Sequence, residues 1–272
     1  MPVRAAHLHR HPALWSGQFV PAQHAAVEID LQHTLARGLL GFYMPGVSGK
    51  DLSGNGPSLV PGAGQLGGVA SGAGRAFGCA ALGTPNGLAT AVPLPVPTFA
   101  SGATLWIYRQ TLARPVNAPV PWIISLYDQG ADNRALCLYS DAGNDDLVLY
   151  AANAFVNFFM NSGVANDTQT LAVTFAPSVL YCVYYKGVMQ TTGTAAPASI
   201  GFTSTTNFAV GTGGNQNIIA CGVWTRALSA PEIAWLDREP FAMLRPASRR
   251  RVFATPTAAV APGYRARVVT WS

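Results

Sequence analysis

Three histidines at alternate positions, His7, His9 and His11, are the densest set of metal-ligating side chains in the 272-residue sequence. In an extended strand their imidazoles share one face, a spacing that can hold a transition metal, for instance around a trimer axis. Calcium, a hard cation, needs carboxylate and carbonyl oxygens instead. Asp51 and Asn55, in the run Asp51-Leu52-Ser53-Gly54-Asn55-Gly56, offer one carboxylate and one amide. Glycoside hydrolysis needs two carboxyl groups flanking a sugar bond. The sequence has three glutamates, and its sole E-x-D spacing, Glu28-Ile29-Asp30, continues at the next alternate position with Gln32 rather than an acid. Asp141, Asp145 and Asp146 fall in a Gly/Asn turn, where aspartate serves local hydrogen bonding. Neither a G-x-x-x-x-G-K-[ST] phosphate loop nor a G-x-S-x-G nucleophile elbow is present. The residues therefore predict no enzyme, and no cofactor apart from calcium at Asp51 and Asn55. Sugar binding without catalysis requires aromatic faces beside polar groups. Tyr139, Tyr150, Phe155, Phe158 and Phe159, near Asn153, Asn157 and Asn161, can supply that platform if they are not core.

Composition narrows what must position these groups. Hydrophobic residues make up 49% and charged residues 11%, against roughly a quarter charged in an average soluble domain, which excludes disorder for the bulk of the chain. No membrane insertion is expected, because long uncharged stretches such as 76–108 are broken by prolines, there Pro85, Pro93, Pro95 and Pro97. The net charge of +5 is unevenly placed. Six arginines and no acid lie in the last 28 residues, while positions 1–244 hold 11 bases and 12 acids. A neutral body offers no basic face for nucleic acid, so Arg249, Arg250 and Arg251 read as a contact to an acidic protein neighbour. Cys79, Cys137, Cys182 and Cys221 sit in apolar runs without C-x-x-C spacing and read as buried free thiols. No secretory signal is legible at the start of the sequence, which predicts synthesis in the cytosol.

From about residue 35, apolar runs recur every ten or so residues between Gly, Pro, Asn and Asp, the pattern of a sandwich or barrel. The best are 104–109, 122–127, 135–139, 147–151, 170–175, 180–185 and 217–224. Several are apolar on both faces, which predicts strands covered on both sides. Lys186-Gly187 marks a hairpin. One helix is signalled, with Ser229 and Glu232 as capping box, Pro231 in the first turn and Pro240 as stop. Residues 1–34 and 241–272 lack this periodicity and read as N- and C-terminal arms around a domain at 35–240.

Asn207 to Pro246 resembles the closing segment of laminin-G-like domains of the concanavalin A type, whose turn and short helix are matched by Arg226-Ala227-Leu228-Ser229-Ala230-Pro231-Glu232-Ile233. Gly38-Leu39-Leu40-Gly41-Phe42-Tyr43 is similar to that family's first strand, and Asp51 to Gly56 to its D-x-S-G-N-G loop. The resemblance implies an all-β jelly-roll sandwich of two antiparallel sheets with one short C-terminal helix and extended terminal arms. The continuation Glu239-Pro240-Phe241-Ala242-Met243-Leu244-Arg245-Pro246, then Arg249 to Phe253, resembles the ending of laminin-G-like proteins of tailed bacteriophages, with Glu239 in place of asparagine. That second resemblance implies a virion structural protein made in the host cytoplasm and displayed on the virion surface, foremost a head decoration protein. Its partners would be the major capsid protein or other virion proteins, and further copies of itself as a homo-oligomer. Trp15, Phe19, Phe253 and Trp271 would be buried against these neighbours, each contributing about 1.5–3 kcal/mol, while Arg249, Arg250 and Arg251 pair with acids. The alternative is a carbohydrate- or receptor-binding module of a tail or fibre that recognises a host surface glycan.

Overall fold

Strands that are apolar at every position need cover on both faces, and the structure supplies it with three layers. It is a computed structural model that describes residues 27–61, 68–71, 74–79, 87–94, 99, 101–112, 122–128, 133–140, 146–151, 154–161, 167–195, 206–211 and 216–246. Among these, the strands in chain order are β1 (Val27–Ile29), β2 (Leu39–Tyr43), β3 (Leu59–Pro61), β4 (Gly68–Ser71), β5 (Gly74–Cys79), β6 (Leu88–Thr90), β7 (Ala103–Thr111), β8 (Trp122–Asp128) and β9 (Asn133–Ser140). They continue as β10 (Asp146–Ala151), β11 (Ala154–Asn161), β12 (Thr168–Phe175), β13 (Leu180–Tyr185), β14 (Val188–Ala195), β15 (Thr206–Val210), β16 (Gln216–Trp224) and β17 (Leu244–Pro246), with helix α1 at Ala230–Arg238. The expected all-β jelly-roll sandwich with one short helix is the fold observed.

One sheet has the order β11-β10-β9-β8-β15-β6-β3, and the second β14-β13-β12-β7-β16-β5-β4. In the second sheet β2 shares an edge of β16 with β5: β5 pairs with Gln216 to Ile218, β2 with Cys221 to Trp224. On β7, Leu105 and Ile107 enter the core between the sheets, while Trp106 points the other way into a second cluster. A bulge at Ile219, where Ile218 faces Arg109 but Ala220 faces Tyr108, reverses the phase of β16. Ile218 and Cys221 are thereby both in the inter-sheet core, and Ala220 and Trp224 both outside it.

The outer cluster is closed by α1 through Ile233 and Leu236, by a 3-10 turn at Thr34–Ala36 through Leu35, and by the β1–β17 ribbon through Ile29 and Leu244. The helix starts as its residues predict: the Ser229 N–H donates to Glu232 Oε2 at 2.8 Å. Lys186 and Gly187 have φ of 47° and 74°, the two left-handed positions of a tight hairpin turn joining β13 to β14. Parts of both expected arms are paired with each other. Val27, Glu28 and Ile29 lie opposite Pro246, Arg245 and Leu244, and Arg245 binds Glu28 at 3.0 Å and Asp30 at 3.5 Å. Val27 and Pro246, the first and last described residues, therefore lie side by side.

Candidate binding face

The seven-stranded sheet turns Leu136 and Leu138 of β9, Ile124 and Leu126 of β8, Phe208 and Val210 of β15 and Leu88 of β6 into the inter-sheet core. Residues alternate across a strand, so the positions between these belong to the sheet's outer face. The register lines them up in a row across all seven strands. Phe155 is opposite Tyr150 and Tyr150 opposite Cys137; Cys137 is opposite Ser125 and Ser125 opposite Ala209; Ala209 is opposite Ala89, and Ala89 opposite Val60. A second row runs Asn157, Val148, Tyr139, Trp122. Past a register shift between β8 and β9 at Leu126, Tyr127 is opposite Asn207.

The first row is graded: aromatic residue types at the β10 and β11 positions, small ones from β9 to β6. Ser125 and Cys137 are fully buried and Ala209 nearly so, whereas Val60 at the far end is 44% exposed. The Ser125 hydroxyl has no hydrogen-bond partner among the described residues. An unmade bond on a buried hydroxyl is disfavoured by about 1–3 kcal/mol. At the border of the face, Asn207 Oδ1 accepts from Thr90 Oγ1 at 3.2 Å, and burial pushes the Tyr127 phenol up from its ordinary pKa.

The aromatic platform expected from sequence is divided by this register. Tyr139, Tyr150, Phe155 and Asn157 hold outer-face positions. Phe158 is one residue out of phase with Phe155 and Asn157, Phe159 falls in the register shift before Asn161, and Asn153 lies outside the described residues. Trp122, Ser125, Tyr127, Cys137, Asn207 and Ala209 were not singled out by spacing. The signal for them is a small or polar residue at the alternate position of an otherwise apolar strand, as in WIISLY, ALCLY and NFAV.

Asp51 and Asn55 are brought together, and each has a partner. Asp51 Oδ1 accepts from the Phe42 and Ser53 amides at 2.8 and 3.0 Å. Its Oδ2 accepts from the Asn55 and Gly56 amides at 2.9 and 2.8 Å and from Ser53 Oγ at 2.6 Å. Asn55 Nδ2 donates to the Leu39 carbonyl at 3.0 Å. The carboxylate staples the loop to β2. Beside it, burial first and the Asp51 charge second raise the Tyr43 phenol, whose O–H donates to the Pro57 carbonyl at 2.9 Å. Among the described residues no group of three His, Cys, Asp or Glu is set to hold a metal ion. His7, His9, His11, Trp15, Phe19, Arg249, Arg250, Arg251, Phe253 and Trp271 lie outside the described residues. Glu28 and Asp30, the E-x-D pair, share Arg245 in the ribbon. No described helix is long and apolar enough to cross a membrane.

No protein-family model and no curated protein matches the chain. Solved structures do share its fold. The binding domain of Paraclostridial Mosquitocidal Protein 1 superposes with a TM-score of 0.59 at 14% identity, over 76% of this chain and 53% of that one. The receptor-binding domain of botulinum neurotoxin C/D mosaic serotype gives 0.56 at 11% identity, over 74% and 51%. A Trypanosoma rangeli sialidase in complex with 2,3-difluorosialic acid gives 0.54 at 15% identity, over 74% of this chain and 33% of the sialidase. The chain thus spans a third to about half the length of these proteins, and at such identities the likeness concerns the lectin-like β-sandwich fold. The expectation that the chain is no enzyme is corrected by the sialidases. The sandwich occurs within enzyme chains, so neither the fold nor the scarcity of glutamates excludes catalysis.

Proposed function

We propose that the chain is a carbohydrate- or receptor-binding module of laminin-G-like type that takes its ligand on the outer face of the seven-stranded sheet. The observation that carries this reading is the register. It sets the backbone positions of Phe155, Tyr150, Tyr139, Trp122 and Tyr127, with those of Asn157 and Asn207, in rows on one face. Aromatic faces beside amides are what flat, hydroxyl-bearing sugar rings require. The structural neighbours named for binding share this sandwich, which supports the reading at the level of fold. Binding of the full chain to a glycan array at micromolar strength is the expected result; silence across neutral and sialylated glycans overturns it.

A second reading, display on a bacteriophage virion as a head decoration or tail component, is favoured by the β1–β17 ribbon. Both arms start from one spot, on the layer farthest from the proposed binding face. Such an arrangement suits anchoring to capsid or other virion proteins through Trp15, Phe19, Arg249 to Arg251, Phe253 and Trp271, in a homo-oligomer or singly. Deleting residues 247–272 should then release the protein from particles without unfolding it; particles that retain the truncated chain refute the anchoring.

A further inference from the structure

His33 sits where the terminal ribbon meets the turn that closes the outer cluster, and it bonds to both. Its N–H donates to the Asp30 carbonyl at 2.9 Å, its carbonyl accepts from the Ala36 N–H at 2.9 Å, and its Nδ1 accepts from the Leu35 N–H at 3.2 Å. The last of these caps the 3-10 turn Thr34–Ala36, with the His33 backbone in the extended conformation of an N-cap, φ −70° and ψ 137°. The imidazole is half-buried, so protons reach it, and it packs on Trp235 of α1 with ring centroids 4.7 Å apart. Asparagine or serine would cap the turn at any pH. Histidine caps it only while Nδ1 is unprotonated, because both ring nitrogens of imidazolium are donors.

We propose that His33 is an acid-sensitive latch, whose protonation releases the Leu35 N–H and slackens the turn that covers the outer cluster beside the ribbon. Histidine is the side chain whose charge ordinarily changes between pH 5 and 8, and His33 is the one histidine among the described residues. The protonated ring has another place to go. An indole face attracts a cation, and Trp235 Nε1 donates to Glu239 Oε2 at 3.0 Å, which sets a carboxylate on the same side. The other charged groups about the turn among the described residues are Asp30, Arg226 and Arg37. Asp30 Oδ1 accepts from the Gln32 N–H at 3.1 Å and binds Arg245 at 3.5 Å, while Arg226 Nη2 donates to the Thr34 carbonyl at 3.4 Å and has its charge matched by Glu232. Uncapping matters because of what the turn carries. Leu35 is fully buried, its carbonyl accepts from Trp224 Nε1 at 2.7 Å, and the Arg37 carbonyl accepts from Arg226 Nε at 2.7 Å. Acid therefore acts on the one stretch of chain that links β1, and through it β17, to β2.

The experiment follows hydrogen exchange of the Leu35 amide by NMR in the full chain at pH 7.5 and pH 5, expressed as a protection factor so that the pH dependence of intrinsic exchange cancels, together with a titration of the His33 ring signals. Protection in the parent protein is expected to fall about fivefold at the lower pH, the loss of one capping hydrogen bond, with a midpoint that coincides with the ring titration. His33→Asn, which keeps a capping acceptor that does not titrate, is expected to hold the protection of the parent at pH 7.5 under both conditions; His33→Ala should show the reduced value under both. Unchanged protection in a parent protein whose ring has titrated overturns the inference. A ring that stays neutral at pH 5 does so as well, and so does a His33→Asn protein that loses protection in acid as the parent does, since another group is then responsible. If either variant fails to fold, the parent titration and its exchange decide the matter alone.

Discussion

Arg226 grips Glu232 with both arms of its guanidinium, Nη1 at 2.9 Å from Oε2 and Nη2 at 2.7 Å from Oε1. The same guanidinium reaches back through Nε to the Arg37 carbonyl at 2.7 Å, tying the start of α1 to the 3-10 turn. Burial alone would raise the Glu232 carboxyl; the Arg226 hydrogen bonds, joined by those from Ser229, outweigh it and hold the group at about 2.

Because the folded-state value lies below the ordinary 4.5, the stability this carboxylate contributes is complete above that pH and is lost as pH falls toward about 2. Glu232→Gln should destabilise the protein by about 1–2 kcal/mol at pH 7. The gap between the two proteins in urea denaturation should shrink from pH 5 to pH 2.5. A gap independent of pH would show that the charge is not what matters.

Asp51→Ala removes an acceptor of five hydrogen bonds and should cost about 2–4 kcal/mol. If the loop is stapled as described, the loss in thermal melts is the same in calcium and in chelator. A parent protein whose melting point falls on chelation alone would instead show the loop to be a cation site.

Gly187 adopts φ of +74°, and a Cβ there would meet Asp237 Cβ at 2.8 Å. Gly187→Ala therefore combines left-handed strain with a clash against α1 and should lower stability by about 1–2 kcal/mol. A neutral outcome in chemical denaturation would mean that the hairpin tip can move off the helix.

Trp224 Nε1 donates to the Leu35 carbonyl at 2.7 Å deep in the outer cluster. Trp224→Phe keeps most of the packing but strands that carbonyl, at a cost of about 1–3 kcal/mol, whereas Trp224→Ala should cost about 3–5 kcal/mol. A Trp224→Phe variant as stable as the parent would deny the hydrogen bond any role.

Burial pushes the Cys79 thiol up to about 12 and Cys221 well above its ordinary value, the latter also feeling Cys79. Cys137 is buried too, while Cys182 is half-buried. A thiol reagent at pH 8 should modify Cys182 first and reach the other three only on unfolding. Fast labelling of Cys79 or Cys221 would indicate that the inter-sheet core opens.

Much of this architecture can be read from local pattern. The runs 104–109, 170–175 and 217–224 all lie within strands because apolar, β-branched and aromatic residues between turn residues have few other ways to be buried. The capping box at Ser229 and Glu232 and the Lys186-Gly187 turn are likewise decided within a few residues. The ribbon could not be read this way. It joins residues up to 219 positions apart, Val27 with Pro246, through three-residue strands too short to show a period. The outer face was legible only in part for the same reason: Tyr139 and Phe155 announce themselves as aromatic, but Ser125 acquires meaning from its neighbours on β9 and β15, which only cross-strand pairing reveals.

The ribbon also sets how the molecule responds to force. Val27 and Pro246 sit opposite each other at its open end, so tension applied through both tails peels three residue pairs apart one at a time, like a zipper, rather than shearing them together. Strain from any moving attachment would be spent on this small fuse, and the fifteen strands behind it would feel no load until it had parted.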